Sequence, residues 1–287
     1  MIEKLYSTLQ NQAKRDEIDR LVVRAVIERN GKLLYVKRSQ STNSRPGMYE
    51  FPGGRIEANE TLGQALCREV LEETGLVVNQ VIDCLGNCDY IGSQGEQVRE
   101  FTFYALCNPG TPKVSDEHES FAWFTLPEMY EQPVMDHMKA MSKAFWYLVL
   151  FQTLLRDAEK DGINHFAVSA AISNNDTFLV RKKVTEDKDL YSFPRGELHK
   201  NENPLDGLIR IIFEQTGLKL SDLVVHLHNN DYVDAHGLKR RQFNFIIEVE
   251  SFAPLKAGFT FICAKDLEQL SISEENTEIT KAFAMIN

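Results

Sequence analysis

Glu69, Glu72 and Glu73 stand at positions i, i+3 and i+4 of one short segment. On a helix that spacing puts all three carboxylates on one face, where like charges repel. Divalent cations offset such repulsion. Three hard oxygen ligands on one helix suit Mg²⁺ or Mn²⁺, which bind through a few carboxylates, several waters and substrate phosphates. The chemistry indicated is metal-assisted attack on a phosphorylated substrate. A bare acidic run is more often a solvated face, and the surroundings are what favour a site. Phe51-Pro52-Gly53-Gly54 precedes the helix as a loop whose backbone can approach a ligand closely. Arg68 sits inside the cluster, able to pair with a carboxylate, and Thr74-Gly75 offers a left-handed helix end. Leu62, Leu66 and Val70 recur on the opposite face, so the helix packs down on one side and presents its acids on the other.

Gly54, five residues, Glu60, seven residues and then Arg68-Glu69-Val70-Leu71-Glu72-Glu73-Thr74-Gly75-Leu76 resemble the Nudix box, G-x5-E-x7-R-E-U-x-E-E-x-G-U with U a bulky apolar residue, at every fixed position. Tyr49 to Glu57 is similar to the lead-in of MutT-like members. One departure is Asn59, where many members carry Gly. Asn is the next-best residue for positive φ, so the loop is expected to form.

The resemblance implies an α/β/α sandwich with a mixed sheet, an α+β fold, and hydrolysis of a nucleoside diphosphate linked to another moiety. It implies Mg²⁺ or Mn²⁺ held by Glu69, Glu72 and Glu73, with the Gly53 or Gly54 carbonyl as a further ligand. One of these glutamates, or one on a later loop, would be the general base on the attacking water. For the later loop Glu117 is the first candidate and Glu119, also a candidate substrate contact, the second; an exposed acidic turn is the equal alternative. Arg68 would hold the carboxylates, with Glu60 supporting the helix start. Arg38 and Arg55 are candidate phosphate contacts, since Arg pairs bidentately with phosphate, although ordinary surface charges explain them as well. Tyr90, Phe103 and Phe121 can stack on a base, but core packing is the plainer reading. His226 and His228 alternate on one predicted strand and read as an outward-facing pair.

The chain also repeats itself. A shift of 142 residues carries Gly54 onto Gly196, Glu60 onto Glu202, Arg68 onto Arg210, Glu72 onto Glu214 and Thr74-Gly75-Leu76 onto Thr216-Gly217-Leu218. Asp89-Tyr90, Arg99, Phe101 and Phe103 fall on Asp231-Tyr232, Arg241, Phe243 and Phe245. With the offset reduced to 138, Phe121 and Trp123 face Phe259 and Phe261, and Lys143-Ala144-Phe145 faces Lys281-Ala282-Phe283. Leu5-Tyr6 and Ala13 align with Leu150-Phe151 and Ala158. Two tandem globular domains follow, each a helix plus a Nudix-like unit, over 1–145 and 146–287. They suggest an intramolecular pseudo-dimer, with higher association possible.

The copies differ where the chemistry lies. Glu69 becomes Ile211, Glu73 becomes Gln215 and Gly53 becomes Arg195. Ile cannot ligate a hard cation, and neutral Gln is a much weaker ligand than a carboxylate. The segment Asp116-Glu117-His118-Glu119 has no counterpart; the shortened connection reads Ser251-Phe252-Ala253-Pro254. The second domain is therefore expected to be inactive, structural first, with nucleotide binding as the sharper alternative.

The element pattern predicts a hairpin of Leu21–Ile27 with Lys32–Arg38, a polar loop over Gln40–Pro46, and the box helix over Thr61–Thr74. Strands follow at Val77–Asp89 and Glu100–Cys107, then helices at Leu126–Glu131 and Asp136–Phe145. Phe166–Ile172 and Thr177–Lys182 repeat the hairpin, and Asn203-Pro204 makes an N-cap and N1 pair. The 287-residue length suits two domains, and the net charge of −10 argues against a nucleic-acid duplex as partner. It does not argue against a nucleotide. Five cysteines without a C-x-x-C pair, a polar N-terminus and an apolar run at Trp146–Leu155 too short for a bilayer predict a cytoplasmic protein. The first expectation is a nucleoside triphosphate pyrophosphohydrolase, oxidised triphosphates included. The others are an ADP-ribose or nucleotide-sugar pyrophosphatase and a non-catalytic nucleotide-sensing regulator.

Overall fold

The computed structural model describes residues 2–42, 44–174, 177–184, 189–200, 202–252 and 255–267, without the side chains of residues 223, 224 and 264. The expected matches at Lys281-Ala282-Phe283 and at Ala253-Pro254 lie outside them. The chain divides into two units, Met1–Val149 and Leu150–Asn287.

The first unit runs α1 (Ile2–Arg15), β1 (Arg20–Val26), β2 (Glu28–Arg29), β3 (Lys32–Arg38), β4 (Tyr49–Glu50), α2 (Leu62–Thr74), β5 (Val78–Ile91), β6 (Gln97–Cys107), β7 (His118–Phe124), α3 (Leu126–Tyr130) and the start of α4 (Asp136–Lys160). β1 pairs parallel with β6, and β6 antiparallel with β5, giving the mixed sheet. The predicted hairpin is corrected. Only Glu28 and Arg29 of β2 pair with β3, while β3 turns away to pair with β4 and β7. The turn at Asn30-Gly31 was legible, but the partners depended on residues some ninety positions on.

Alternation on the strands sorts the core into two layers. Phe101, Phe103 and Ala105 face the layer that contains Leu62, Leu66 and Val70 of α2 and Tyr6 of α1. Val26, Leu33, Tyr35 and Phe51 face Met129 of α3 and Met138 and Phe145 of α4. This is the expected helix, sheet, helix sandwich. α2 begins at a capping box: the Gln64 N–H donates to Thr61 Oγ1 at 3.2 Å and the Thr61 N–H to Gln64 Oε1 at 2.8 Å. It ends at Gly75, left-handed at φ 67°. Asn59 adopts φ 70°, as its side chain permits.

α4 continues for 25 residues and absorbs the apolar run at Trp146–Leu155. The division at Val149/Leu150 falls inside it. Among the described residues no helix is long and apolar enough to cross a membrane.

The second unit continues with β8 (Phe166–Asn174), β9 (Thr177–Val184), β10 (Asp189–Ser192), β11 (Arg195–Glu197), α5 (Pro204–Thr216), β12 (Leu220–Val233), β13 (Lys239–Val249), β14 (Phe259–Cys263) and α6 (Ala264–Leu267). β13 pairs parallel with β8 and antiparallel with β12, as β6 does with β1 and β5. Phe151 meets Phe245 at 5.5 Å between ring centroids, and Tyr6 meets Phe103 at 5.6 Å. The end of α4 thus serves the second unit as α1 serves the first. Arg99 clamps Asp89 and Asp16; Arg241 clamps Asp231 and Asp161 in the same way. Asn203 caps α5 through Leu205, with Pro204 at N1. His226 is not outward-facing: its half-buried ring packs 5.4 Å from Phe245.

Candidate active site

A cleft of about 580 Å³ opens in the first unit, lined by residues from β1, β3 and the loop after it, β4 and the loop after it, α2, the end of β5 and its turn, β6 and the loop before β7. Arg38, Gly54, Arg55, Glu69, Glu73 and Glu117 all line it. Glu72 and Arg68 stand at its acidic edge through hydrogen bonds. Arg68 donates to Glu69 at 2.9 Å and to Glu72 at 3.1 Å, and holds Glu60 through two bonds of 2.8 and 2.9 Å. A fifth bond reaches the Arg55 carbonyl at 2.9 Å. One guanidinium therefore locks the loop, the helix start and two carboxylates together. Glu119 is not among the cleft residues; it pairs with Lys37 at 2.7 Å.

Glycine at 53 and 54 is dictated by contact. Gly53 has φ 145°, and a Cβ there would meet the Val23 carbonyl oxygen at 2.1 Å. A Cβ on Gly54 would meet the Glu69 carboxylate at 2.5 Å. The Gly53 N–H donates to Glu73 Oε2 at 2.8 Å. The Gly54 carbonyl accepts from the Val23 N–H at 2.9 Å, and the Gly53 carbonyl from Arg24 at 2.7 Å. Each carbonyl retains a second lone pair for a ligand.

Beneath the cleft lies a buried ionic network that sequence reasoning missed. Arg24 donates to the carbonyls of Phe51 and Gly53, to Glu50 at 3.1 Å and to Glu100 at 3.4 Å. Glu50 also accepts from Arg38 at 2.8 Å, and His118 Nε2 lies 3.4 Å from Glu50 and 3.8 Å from Glu73. His137 Nε2 is 3.1 Å from Glu100. Burial works to raise the pKa of Glu50, but Arg24, His118 and Arg38 outweigh it and hold the group at about 2. The signal available in the sequence was position alone: Glu50 adjoins the Phe51–Gly54 loop, and His118 sits between the two candidate glutamates.

Glu73 is in the opposite state. Burial pushes its carboxyl up to about 7, more than Arg24 and His118 pull it down. Burial also raises Glu69 above the usual range, against the pull of Arg68. In both acids burial outweighs the nearby cations, and a divalent cation bound beside them would favour their charged forms. Glu50, Glu73 and His118 can bring ligand atoms within 4.8 Å of one another. Among the described residues Glu69, Glu72 and Glu73, the ligands expected from the sequence, are not brought together within that distance, and Glu50 is already engaged by Arg24 and Arg38.

In the second unit the frame survives without the counterparts of Glu69 and Glu73. Arg210 binds Glu202 at 2.7 and 2.8 Å, the Glu197 carbonyl at 3.1 Å and Glu214 at 3.3 Å, reproducing the Arg68 hub. Gln215 accepts from the Arg195 N–H at 3.3 Å, standing in for Glu73. A Cβ on Gly196 would meet Ile211 at 3.0 Å, where the first unit has Glu69.

The NUDIX domain family model matches residues 19–145 and again 163–281. The chain is a member of the NUDIX hydrolase family. Among its relatives is the CTP pyrophosphohydrolase of Escherichia coli K12, 32% identical over 132 residues, which are 44% of this chain and 91% of that protein. The ADP-ribose pyrophosphatase of Methanocaldococcus jannaschii is 31% identical over 119 residues, 34% of this chain and 68% of that one. The crystal structure of a MutT NUDIX hydrolase from Burkholderia pseudomallei is 29% identical, spans 44% of this chain and 96% of its own, and has a TM-score of 0.40.

Proposed function

We propose that the first unit hydrolyses a nucleoside triphosphate, oxidised triphosphates included, to a monophosphate and pyrophosphate with Mg²⁺ or Mn²⁺. The observation that carries this is geometric: Glu69 and Glu73 line one cleft with the Gly53-Gly54 backbone, and Arg68 ties Glu69 and Glu72 together at its edge. Glu69, Glu72 and Glu73 would hold the cation. Bound there, it neutralises phosphate oxygens and lowers the pKa of a bound water. Arg68 fixes two of the carboxylates, and Arg24 fixes the Gly53 carbonyl. Arg38 and Arg55, on the cleft wall, take phosphate oxygens. Glu117, exposed on the loop before β7, takes the proton from the attacking water.

The Escherichia coli relative, named for a triphosphate substrate, supports this reading. The Methanocaldococcus jannaschii relative supports the second one, cleavage of ADP-ribose or a nucleotide sugar. Product analysis separates them, since pyrophosphate is released only from the triphosphate. The intact acids speak against a purely sensing role. Five free thiols support a reducing compartment, hence the cytoplasm. The experiment is metal-dependent release of phosphate products from normal and oxidised triphosphates, ADP-ribose and dinucleoside polyphosphates, comparing the natural chain with Glu72→Gln. Turnover of triphosphates with release of pyrophosphate, lost in the variant, establishes the reading; turnover of ADP-ribose in their place establishes the second. Turnover unchanged by Glu72→Gln overturns it.

A further inference from the structure

Of the three aromatic candidates for base stacking, two are spent elsewhere. Phe103 is fully buried against Tyr6, and Phe121 packs on the same core layer. Tyr90 is different: it lines the cleft. Its ring stacks beside His137, with centroids 6.4 Å apart and planes 29° apart, and His137 is itself fixed by Glu100 at 3.1 Å. His137 does not line the cleft, so the brace belongs to the protein side and the Tyr90 ring is held rigid for the other. Ile91, the next residue, also lines the cleft and is 60% exposed despite being apolar. The Tyr90 ring is thus an aromatic face at an otherwise charged opening.

Arg45 covers the Tyr90 ring. Its guanidinium carbon lies 5.4 Å from the Tyr90 ring centroid, and it too lines the cleft. It stands on the loop after β3 with the left-handed φ of 52°. Among the described residues its guanidinium makes no hydrogen bond or ion pair, whereas Arg24, Arg38 and Arg68 are all engaged. A planar cation over an aromatic ring, with its donors unspent, is an arrangement into which a flat conjugated ring can slide, gaining a π-face on one side and a guanidinium on the other.

We propose that Tyr90 and Arg45 form the slot for the nucleobase of the substrate, which stacks on Tyr90 with Arg45 closing over it. This rests on the nucleotide reading of the same cleft. It places the base at the Tyr90–Ile91 end and the phosphates at the Glu69–Glu73 end. Recognition is through the face of the base, so an analogue without a base loses the interaction while its phosphates keep theirs.

The test is equilibrium binding of a non-hydrolysable α,β-methylene nucleoside triphosphate and, separately, of inorganic tripolyphosphate. Both are titrated with Mg²⁺ against the full chain and its Tyr90→Ala, Tyr90→Phe and Arg45→Ala variants. Tyr90→Ala and Arg45→Ala are expected to weaken the nucleotide analogue by about tenfold or more, and Tyr90→Phe by less than about threefold. Tripolyphosphate binding stays unchanged in all three. Arg45→Ala sits on a surface loop and leaves the core intact, so a folding defect in Tyr90→Ala does not remove the test. Analogue affinity indifferent to both alanine variants overturns the slot. So does a parallel loss of tripolyphosphate in Arg45→Ala, which would make Arg45 a phosphate contact. A natural chain that binds the analogue through Tyr90 yet hydrolyses no nucleotide overturns the hydrolase reading and leaves the slot standing. A natural chain that hydrolyses triphosphates yet binds the analogue no better than tripolyphosphate overturns the slot and leaves the hydrolase reading standing.

Discussion

The backbone N–H of Gly53 donates to the carboxylate of Glu73 at 2.8 Å, and in the second unit the N–H of Arg195 donates to Gln215 at 3.3 Å. The same loop-to-helix bond is made by an acid in one copy and by a neutral amide in the other. The bond is therefore structural, and the charge is what function adds.

Glu73→Gln is accordingly expected to fold. It removes a buried carboxyl that burial pushes up to about 7, so thermal stability without metal is unchanged or raised. Turnover falls at least about a hundredfold. Thermal melting and product release on the same preparation check both halves; a variant that melts well below the natural chain would show that the charge itself supports the fold.

Gly53→Ala has the opposite profile. Its Cβ would meet the Val23 carbonyl oxygen at 2.1 Å with φ at 145°, so β1 or the loop must move. A loss on the order of 3 kcal/mol is expected in denaturant unfolding. Arg195 at the equivalent place in the second unit does not share this positive φ, although the segment pairs with β8 much as the Gly53 loop pairs with β1.

Arg68→Lys is not a conservative change. A lysine cannot reproduce five donated bonds to Glu60, Glu69, Glu72 and the Arg55 carbonyl. Mn²⁺ affinity, read by calorimetric titration, is expected to fall by about 10- to 100-fold. The equivalent Arg210→Lys leaves Mn²⁺ binding by the first unit unaltered.

Glu50 sets an acid limit on stability. Arg24 on β1, Arg38 on β3 and His118 on β7 face it, with Glu73 beyond His118, and its folded pKa is about 2 against an ordinary 4.5. The folded value is depressed, so the stabilisation is present above about pH 4.5 and is lost as the pH falls towards 2. Glu50→Gln is expected to lower stability at neutral pH by on the order of 3 kcal/mol, because Arg24 loses a buried partner. It should also flatten the acid limb of a melting-temperature profile. An unchanged limb would assign that limb to other carboxylates.

The linear pattern was enough for everything that depends on near neighbours. Helix spacing put Glu69, Glu72 and Glu73 on one face, glycines marked the loop, and a fixed offset exposed both the duplication and the loss of acids in the second copy. The pairing of Arg68 with the carboxylates was legible because its partners lie within thirteen residues. The tertiary structure alone decided what depends on strands meeting. Arg24 finds Glu50 and Glu100 across 26 and 76 positions, and His118 reaches Glu50 across 68. It also decided that Tyr90 and Arg45 face the cleft while Phe103 faces the core. The reason is physical: side chains on a strand alternate between two faces, and which face becomes core and which becomes site is set by the helix that covers it, not by the strand's own residues.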